Sequence, residues 1–132
     1  MTEEEVLAIK TINDLRKLTL MDFWSRDITE REVDHILKIC NAKWIYSGNP
    51  KDPHAELTDG FCAKGYIDTL RALRYTNICE ILATKLARKI RIFYQDPIDW
   101  VIGSDHAGAA FSHSVAIALG AQHDFTEKRV KE

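Results

Sequence analysis

The chain has little of what marks disulfide-rich, redox or membrane proteins. Its three cysteines, Cys40, Cys62 and Cys79, are widely spaced and form no C-x-x-C pair, which is typical of reduced thiols in a cytoplasmic protein. No apolar run approaches the length that spans a membrane, and residues 1–5 are acidic where a signal peptide is basic. The sequence therefore predicts a soluble protein of the cytoplasm.

Metal-binding patterns and strong net charge are also missing. The five histidines form no H-x-x-x-H or H-E-x-x-H pattern. A helix could place His106 and His113 on one face, but two ligands do not make a zinc site, so we predict no metal site formed by the protein alone. A net charge of −2 predicts no general attraction to nucleic acid.

What is present indicates one globular domain, with 45% hydrophobic and 29% charged residues. The charge is unevenly distributed: residues 1–60 carry 8 basic and 12 acidic side chains, and residues 61–132 carry 10 basic and 8 acidic ones. This contrast suits an anionic small molecule bound by the second half.

The first third of the chain is typical of helices. Apolar residues in the segment 3–18 follow helical spacing, which predicts one amphipathic helix with acidic residues in its first turn. The segment Thr29-Glu-Arg-Glu32 is a capping-box pattern that opens a second helix over 30–41. We expect its inward side chains to be Val33, Ile36, Leu37 and Cys40.

A loop, a hairpin and a third helix follow. Residues 47–54 have loop composition, and strands 55–58 and 65–68 are expected to form a hairpin around Asp59-Gly60. Asn77 is the predicted cap of a helix over 78–91, with Glu80 completing the capping box. Its buried stripe is predicted to be Ile78, Ile81, Leu82, Leu86 and Ile90, and its solvated face Lys85, Arg88 and Lys89.

The segment 99–111 predicts a short buried strand, a tight turn between Gly103 and Gly108, and the start of a helix. Ser104 or Asp105 is placed to cap that helix. The helix, over 106–119, is apolar on nearly every side and is therefore expected to be buried.

Gly120 is predicted to end this helix, and a second parallel strand is expected over 122–126. The order of helix, strand, helix and strand is the beginning of a doubly wound α/β sheet, but two strands leave that sheet incomplete. A loop at the carboxyl end of a parallel strand is a common place for phosphate or pyrophosphate binding. The alternative interpretation is an ordinary connection with helix caps.

Four stretches, in order, resemble the type I phosphoribosyltransferases, in particular the orotate phosphoribosyltransferases. They are Leu57-Thr-Asp-Gly60 with Gly65-Tyr-Ile-Asp68, Asn77-Ile-Cys-Glu-Ile-Leu-Ala, Val101-Ile-Gly-Ser-Asp-His-Ala-Gly-Ala-Ala-Phe, and Ala118-Leu-Gly-Ala with Phe125-Thr-Glu-Lys-Arg. The resemblance covers the N-terminal part of that family's fold. It implies an N-terminal helical segment over 1–54, a hood-like segment over 55–76 and the first half of the α/β core over 77–132.

The resemblance also implies a site. The pyrophosphate of phosphoribosyl pyrophosphate would bind to Gly103, Ser104, Asp105, His106, Ala107 and Gly108, with Mg²⁺ accompanying that substrate. Lys128 and Lys131 would be catalytic cations that close over the leaving group, and Tyr66 would lie near an orotate-like nucleobase. A homodimer is expected, because apolar helix faces outnumber the sheet available to cover them and because the resemblance implies dimers.

Three departures from the family pattern keep other interpretations open. Ala107 stands where many members have lysine or glycine, and Asp105 adds negative charge beside a site for a polyanion. The family's acidic pair and Thr/Ser-Gly loop, which hold the ribose and 5′-phosphate, match nothing in residues 1–132. We therefore expect no transferase activity from these residues alone. The alternatives are a non-catalytic binding or interaction module and an α/β fragment with an accidental likeness.

Overall fold

The structure, a computed structural model, describes residues 1–45, 48–49, 55–56 and 62–129. These residues form a mixed α/β fold in which short helices precede three two-stranded sheets and two longer helices. In chain order the elements are α1 Glu3–Leu7, α2 Ile12–Leu15, a 3-10 helix Leu20–Phe23, α3 Glu30–Ile39, β1 Lys43–Ile45, β2 Ala55–Glu56, β3 Cys62–Ala63, β4 Gly65–Ile67, α4 Leu70–Leu73, α5 Thr76–Phe93, β5 Trp100–Gly103, α6 Ala107–Leu119 and β6 Gln122–Phe125.

The single helix expected over 3–18 is wrong, because the chain breaks there into α1 and α2. Thr11 has an extended backbone, and its hydroxyl accepts a hydrogen bond from the amide of Asp14 at 3.1 Å. A threonine whose hydroxyl accepts from the amide three residues later starts a new helix instead of continuing the old one. The apolar spacing still places Val6, Leu15 and Leu18 in the core.

The predicted helix after Thr29 is confirmed as α3, with its capping box formed by Thr29 and Glu32. The Glu32 carboxylate is buried and accepts two hydrogen bonds from Arg26, at 2.6 and 2.8 Å. Burial alone raises the pKa of this carboxyl, but the hydrogen bonds from Arg26 and Thr29 outweigh it, so the pKa lies below its ordinary value. The ion pair therefore satisfies a charge that would otherwise be costly to bury.

The third predicted helix is longer than expected and starts differently. α5 begins at Thr76, and Asn77 is not its cap. The Asn77 amide instead donates to the carbonyl oxygens of Leu15, at 3.1 Å, and Leu18, at 2.9 Å. Lys85, expected on the solvated face, is mostly buried, with its ammonium donating to the carbonyl of Ile28.

The predicted hairpin is wrong in its pairing. β4 lies where the strand over 65–68 was expected, but it pairs antiparallel with β1, and β2 pairs with β3. Trp44 lies opposite Tyr66, an aromatic pair that favours this register. The three residues of β1 are too few to have shown a strand pattern in the sequence. The Asp59-Gly60 turn and most of the loop over 47–54 lie outside the described residues.

The buried side chains of α5 belong to two groups, which pack against different parts of the molecule. One packs Ile78 and Ile81 against the N-terminal helices. The other lies where α5 packs on α6, as the contact between the Cys79 thiol and Ser114 shows. Its further members, spaced four residues apart along the same face of α5 as Cys79, are Ala83 and Ala87.

The expectation that α6 is buried on nearly every side is wrong. Its buried residues are Ser112, Val115 and Ala116, whereas Ile117 is 69% exposed. The reason is the small extent of the β5–β6 sheet, which α6 covers on one face only. No helix within the described residues is long and apolar enough to cross a membrane.

Candidate functional site

The candidate site is the loop between β5 and α6. β5 and β6 pair in parallel with Gly103 opposite Phe125, and the amide of Thr126 donates to the Gly103 carbonyl at 2.9 Å. The loop therefore leaves β5 at its carboxyl end and turns directly into α6. The parallel pairing confirms the expected strand–helix–strand unit, with α6 ending at Gly120 in the left-handed conformation.

Both glycines of this loop lie against neighbouring atoms. A Cβ on Gly103 would come within 2.6 Å of the Gly108 carbonyl oxygen and of Ser112 Cβ, and nearer still to Ser112 Oγ. A Cβ on Gly108 would collide with Ser104 Oγ but stay 3.4 Å from Ser104 Cβ. The loop is therefore a compact turn that needs glycine at Gly103 because backbone and α6 enclose it.

The N-cap residue of α6 is His106, so the expectation that Ser104 or Asp105 caps the helix is wrong. His106 has φ 59° and ψ −123°, and it gives the helix no side-chain cap. Its carbonyl accepts from the amides of Ala109 and Ala110. Within the described residues no acceptor is found for the backbone amides of Ala107 and Gly108, the first donors of a 13-residue helix. Such donors at a helix N-terminus favour an anion.

A hydrogen-bonded pair behind the loop was not predicted from the sequence. The Ser112 hydroxyl donates to the Ala109 carbonyl at 3.0 Å, so its oxygen accepts the Nε2–H of His123 at 2.7 Å. Ser112 is also the side chain against Gly103. The pair thus joins β6 to α6 directly below the turn. A serine in an apolar helix and a histidine in a short strand gave no spacing pattern that would have revealed it.

The other predicted site residues are not gathered at this loop. Lys128 is exposed in the segment after β6, and Lys131 lies outside the described residues. Tyr66 lies on β4, half exposed and opposite Trp44, with no hydrogen bond or ring contact to the loop. Asp105 is adjacent to His106, with 3.9 Å between its carboxylate and the imidazole Nε2.

The described residues contain no group of three or more His, Cys, Asp or Glu side chains placed to hold a metal. Mg²⁺ commonly keeps several waters and binds through substrate phosphates instead of an all-protein cage. The donor set therefore fits Mg²⁺ only when the ion arrives with a phosphorylated ligand.

Two cavities lie away from the loop. One, of about 410 Å³, is lined by Arg16, Arg74, Tyr75, Thr76 and Asn77 at the start of α5. The other, of about 470 Å³, lies between α5 and α6 and includes Ile117 and Ala118. Neither includes a residue of the turn between Gly103 and Gly108.

Comparison with known proteins gives a likeness in fold. No protein-family description and no curated protein sequence matches the chain. Among solved structures, 11 chains match. One is the UMP synthase of Leishmania donovani, with a TM-score of 0.56, 17% sequence identity, and coverage of 71% of this chain and 19% of that chain. The chain thus spans about a fifth of that protein's length, and its mixed α/β fold is similar to part of a UMP synthase.

Proposed function

We propose that this chain is the N-terminal part of an orotate-phosphoribosyltransferase-like domain and that it binds pyrophosphate at the turn from Gly103 to Gly108. The observation that carries the proposal is the turn itself. It places the uncapped N-terminus of α6 at the carboxyl end of a strand in a parallel pair. The likeness in fold to a UMP synthase, a protein that contains an orotate phosphoribosyltransferase domain, supports the same conclusion.

The substrate that fits this proposal is phosphoribosyl pyrophosphate, with an orotate-like pyrimidine as acceptor. The amides of Ala107 and Gly108 would donate to pyrophosphate oxygens, since a glycine at the second position lets an anion approach the backbone. Mg²⁺ bound to that substrate would neutralise part of the charge on the departing pyrophosphate. Lys128 and Lys131 would add positive charge where negative charge develops on the leaving group, which is the main way such a transfer is accelerated.

Binding and catalysis are separable in this proposal. The site for ribose and 5′-phosphate has no counterpart in residues 1–132. Binding energy from a non-reacting phosphate normally positions the reacting carbon, so its loss lowers turnover as well as affinity. We therefore expect pyrophosphate binding, weak and strengthened by Mg²⁺, without transfer of phosphoribose to orotate.

A second candidate is a non-catalytic module that keeps the scaffold and has lost the chemistry. The composition of the turn favours it, because Asp105 repels a polyanion and Ala107 provides no cation. The division into segments 1–54, 55–76 and 77–132, and the placement of Tyr66 near a base, belong to the first candidate and remain predictions. Phosphoribosyl transfer by a longer chain that includes the acidic-pair loop would separate the two candidates.

The test of the proposed site is calorimetric titration of the 132-residue protein with inorganic pyrophosphate, with and without Mg²⁺. Gly108→Val should lower the affinity by roughly tenfold or more, because its branched side chain meets Ser104 and blocks close approach to the amides. Ala118→Val, the same side chain at an exposed position of α6, is the matched control and should bind like the original protein. Absence of binding, or equal binding by Gly108→Val, would refute the pyrophosphate site.

A further inference from the structure

The cavity of about 410 Å³ at the start of α5 is separate from the turn and has two arginines in its wall. Its lining residues are Arg16, Arg74, Tyr75, Thr76 and Asn77. None of them is acidic, so the two arginines make the lining positive. Two guanidinium groups beside one cavity repel each other, and an anion bound between them replaces that repulsion with attraction.

Short elements bring the two arginines to this cavity. Arg16 is the C-cap residue of α2, and Arg74 is the C-cap residue of α4, two residues before α5 begins. The Asn77 amide holds this end of α2 against α5, because it donates to the carbonyl oxygens of Leu15 and Leu18, which flank Arg16 in the sequence. The position of Arg16 beside the first turn of α5 is therefore built into the fold.

Neither arginine is neutralised within the part of the chain that the structure describes. Arg16 makes no hydrogen bond or ion pair there. Arg74 makes one hydrogen bond, from Nε to the Leu70 carbonyl at 3.3 Å, which leaves both of its terminal nitrogens without a protein acceptor. Both side chains are exposed, so a ligand in the cavity can reach them.

The acids close to these arginines in sequence have other partners. Asp14 pairs with Lys17 at 3.3 Å, and Asp68 pairs with Arg71 at 3.4 Å. Glu80 lies one turn further along α5 and lines the neighbouring cavity instead of this one. The positive charge of the lining is thus available to an external anion.

We propose that this cavity binds the phosphate group of a small organic phosphate, with Arg16 and Arg74 donating to its oxygens. The planar guanidinium presents paired N–H donors that match phosphate oxygens. A phosphate monoester carries about two negative charges and three acceptor oxygens, which suit two arginines better than a single carboxylate does.

The size of the cavity favours an organic phosphate over the free ion. A volume of about 410 Å³ lies in the range of small-molecule sites and leaves room for a group attached to the phosphate. Tyr75, partly buried in the same wall, offers an aromatic surface to that group. The site shares no residue with the turn from Gly103 to Gly108, so it does not depend on the proposed function.

The test is calorimetric titration of the 132-residue protein with phenyl phosphate at low ionic strength. Arg16→Gln and Arg74→Gln should each lower the affinity about tenfold, the effect of losing charge-assisted hydrogen bonds. Lys17→Gln and Arg71→Gln remove the same charge from neighbouring exposed side chains outside the cavity. They are the matched controls and should bind like the original protein, and thermal melts should show that all five proteins fold alike.

Two further titrations define the ligand and the place where it binds. Inorganic phosphate should bind severalfold more weakly than phenyl phosphate, because it leaves the surface of Tyr75 uncovered. Gly108→Val, which changes the turn and not this cavity, should bind phenyl phosphate like the original protein.

Each outcome decides one part of the proposal. Absence of binding, or equal losses in the arginine variants and their controls, would refute the site. Equal affinity for the two probes would refute its preference for an organic phosphate. Loss of binding in Gly108→Val alone would assign the phosphate to the turn and refute this inference while supporting the proposed function.

Discussion

At the scale of single residues, the two glycines of the turn differ in what surrounds them. Gly103 is enclosed by fixed atoms, namely the Gly108 carbonyl and the Cβ of Ser112. Gly108 meets only the hydroxyl of Ser104, an exposed side chain. A methyl group added at the two positions should therefore have different consequences, although the sequence presents them as an equivalent pair.

We predict that Gly103→Ala lowers the free energy of unfolding by about 3 kcal/mol and that Gly108→Ala costs less. The double variant Ser104→Ala with Gly108→Ala should be as stable as Ser104→Ala alone, because the Ser104 hydroxyl is the group that the added methyl would collide with. Ser112→Ala should not restore Gly103→Ala, because the backbone carbonyl and the Cβ remain. Urea unfolding of the single and double variants measures this, and equal rescue in both pairs would contradict the packing described for the turn.

Some residues of the candidate site could be predicted from the sequence, and others could not. The position of the turn and both of its glycines followed from the pattern of strand, glycine and apolar helix. The cap did not, because His106 takes an unusual backbone conformation that no propensity favours. The hydrogen bond between Ser112 and His123 joins residues of two elements, and only the tertiary structure brings those together.

At the scale of elements, the start of α5 is fixed by a contact to a distant segment. The Asn77 amide donates to two carbonyls at the end of α2 and beyond it, those of Leu15 and Leu18. The sequence alone predicts that this asparagine is a local helix cap. The two interpretations predict opposite effects for a change to aspartate, which is a good cap but cannot donate.

We predict that Asn77→Ala lowers the free energy of unfolding by about 2 kcal/mol, because two partly buried carbonyl groups lose their donor. Asn77→Asp should be at least as destabilising at neutral pH, since its carboxylate would face both oxygens. Thermal or urea unfolding of both variants measures these changes in stability. A stable Asn77→Asp protein would show that the side chain acts as a cap after all.

Elements with a strong pattern of their own were predictable, and elements that depend on partners were not. The capping box of α3, the long periodicity of α5, and the unit of β5, α6 and β6 all followed from local sequence. The helix expected over 3–18 failed at Thr11, where side-chain bonding to the backbone overrides apolar spacing. The hairpin failed because β4 pairs with β1 across a long stretch of sequence.

At the scale of the whole molecule, apolar surface is left uncovered. The outer face of the β5–β6 pair presents Trp100 and Ile102, each more than half exposed, and parallel strands are normally covered on both faces. Ile117 on α6 and Phe93 at the end of α5 are also exposed. Exposed apolar groups of this extent are typical of association surfaces.

We predict that the chain forms a homodimer that uses the exposed face of α6. Ile117→Glu should shift the protein towards the monomer in sedimentation at micromolar concentration, because it places a charge where an apolar side chain would be covered. Asn13→Glu adds the same charge at an exposed position of α2 and is the control. A stable monomer of the original chain at that concentration would refute the prediction.

The packing of α5 on α6 limits which residues can change in related proteins. Ala83 and Ala87 are buried and small, they share a face of α5 with Cys79, which contacts α6, and the turn is positioned by α6. Enlarging either of the two would push α6 away from α5 and carry the turn with it. Over evolutionary time these two alanines should therefore tolerate less change than the polar residues of the turn. A search for related chains would do better to require small residues at these positions than to require a match to Ser104, Asp105 or His106.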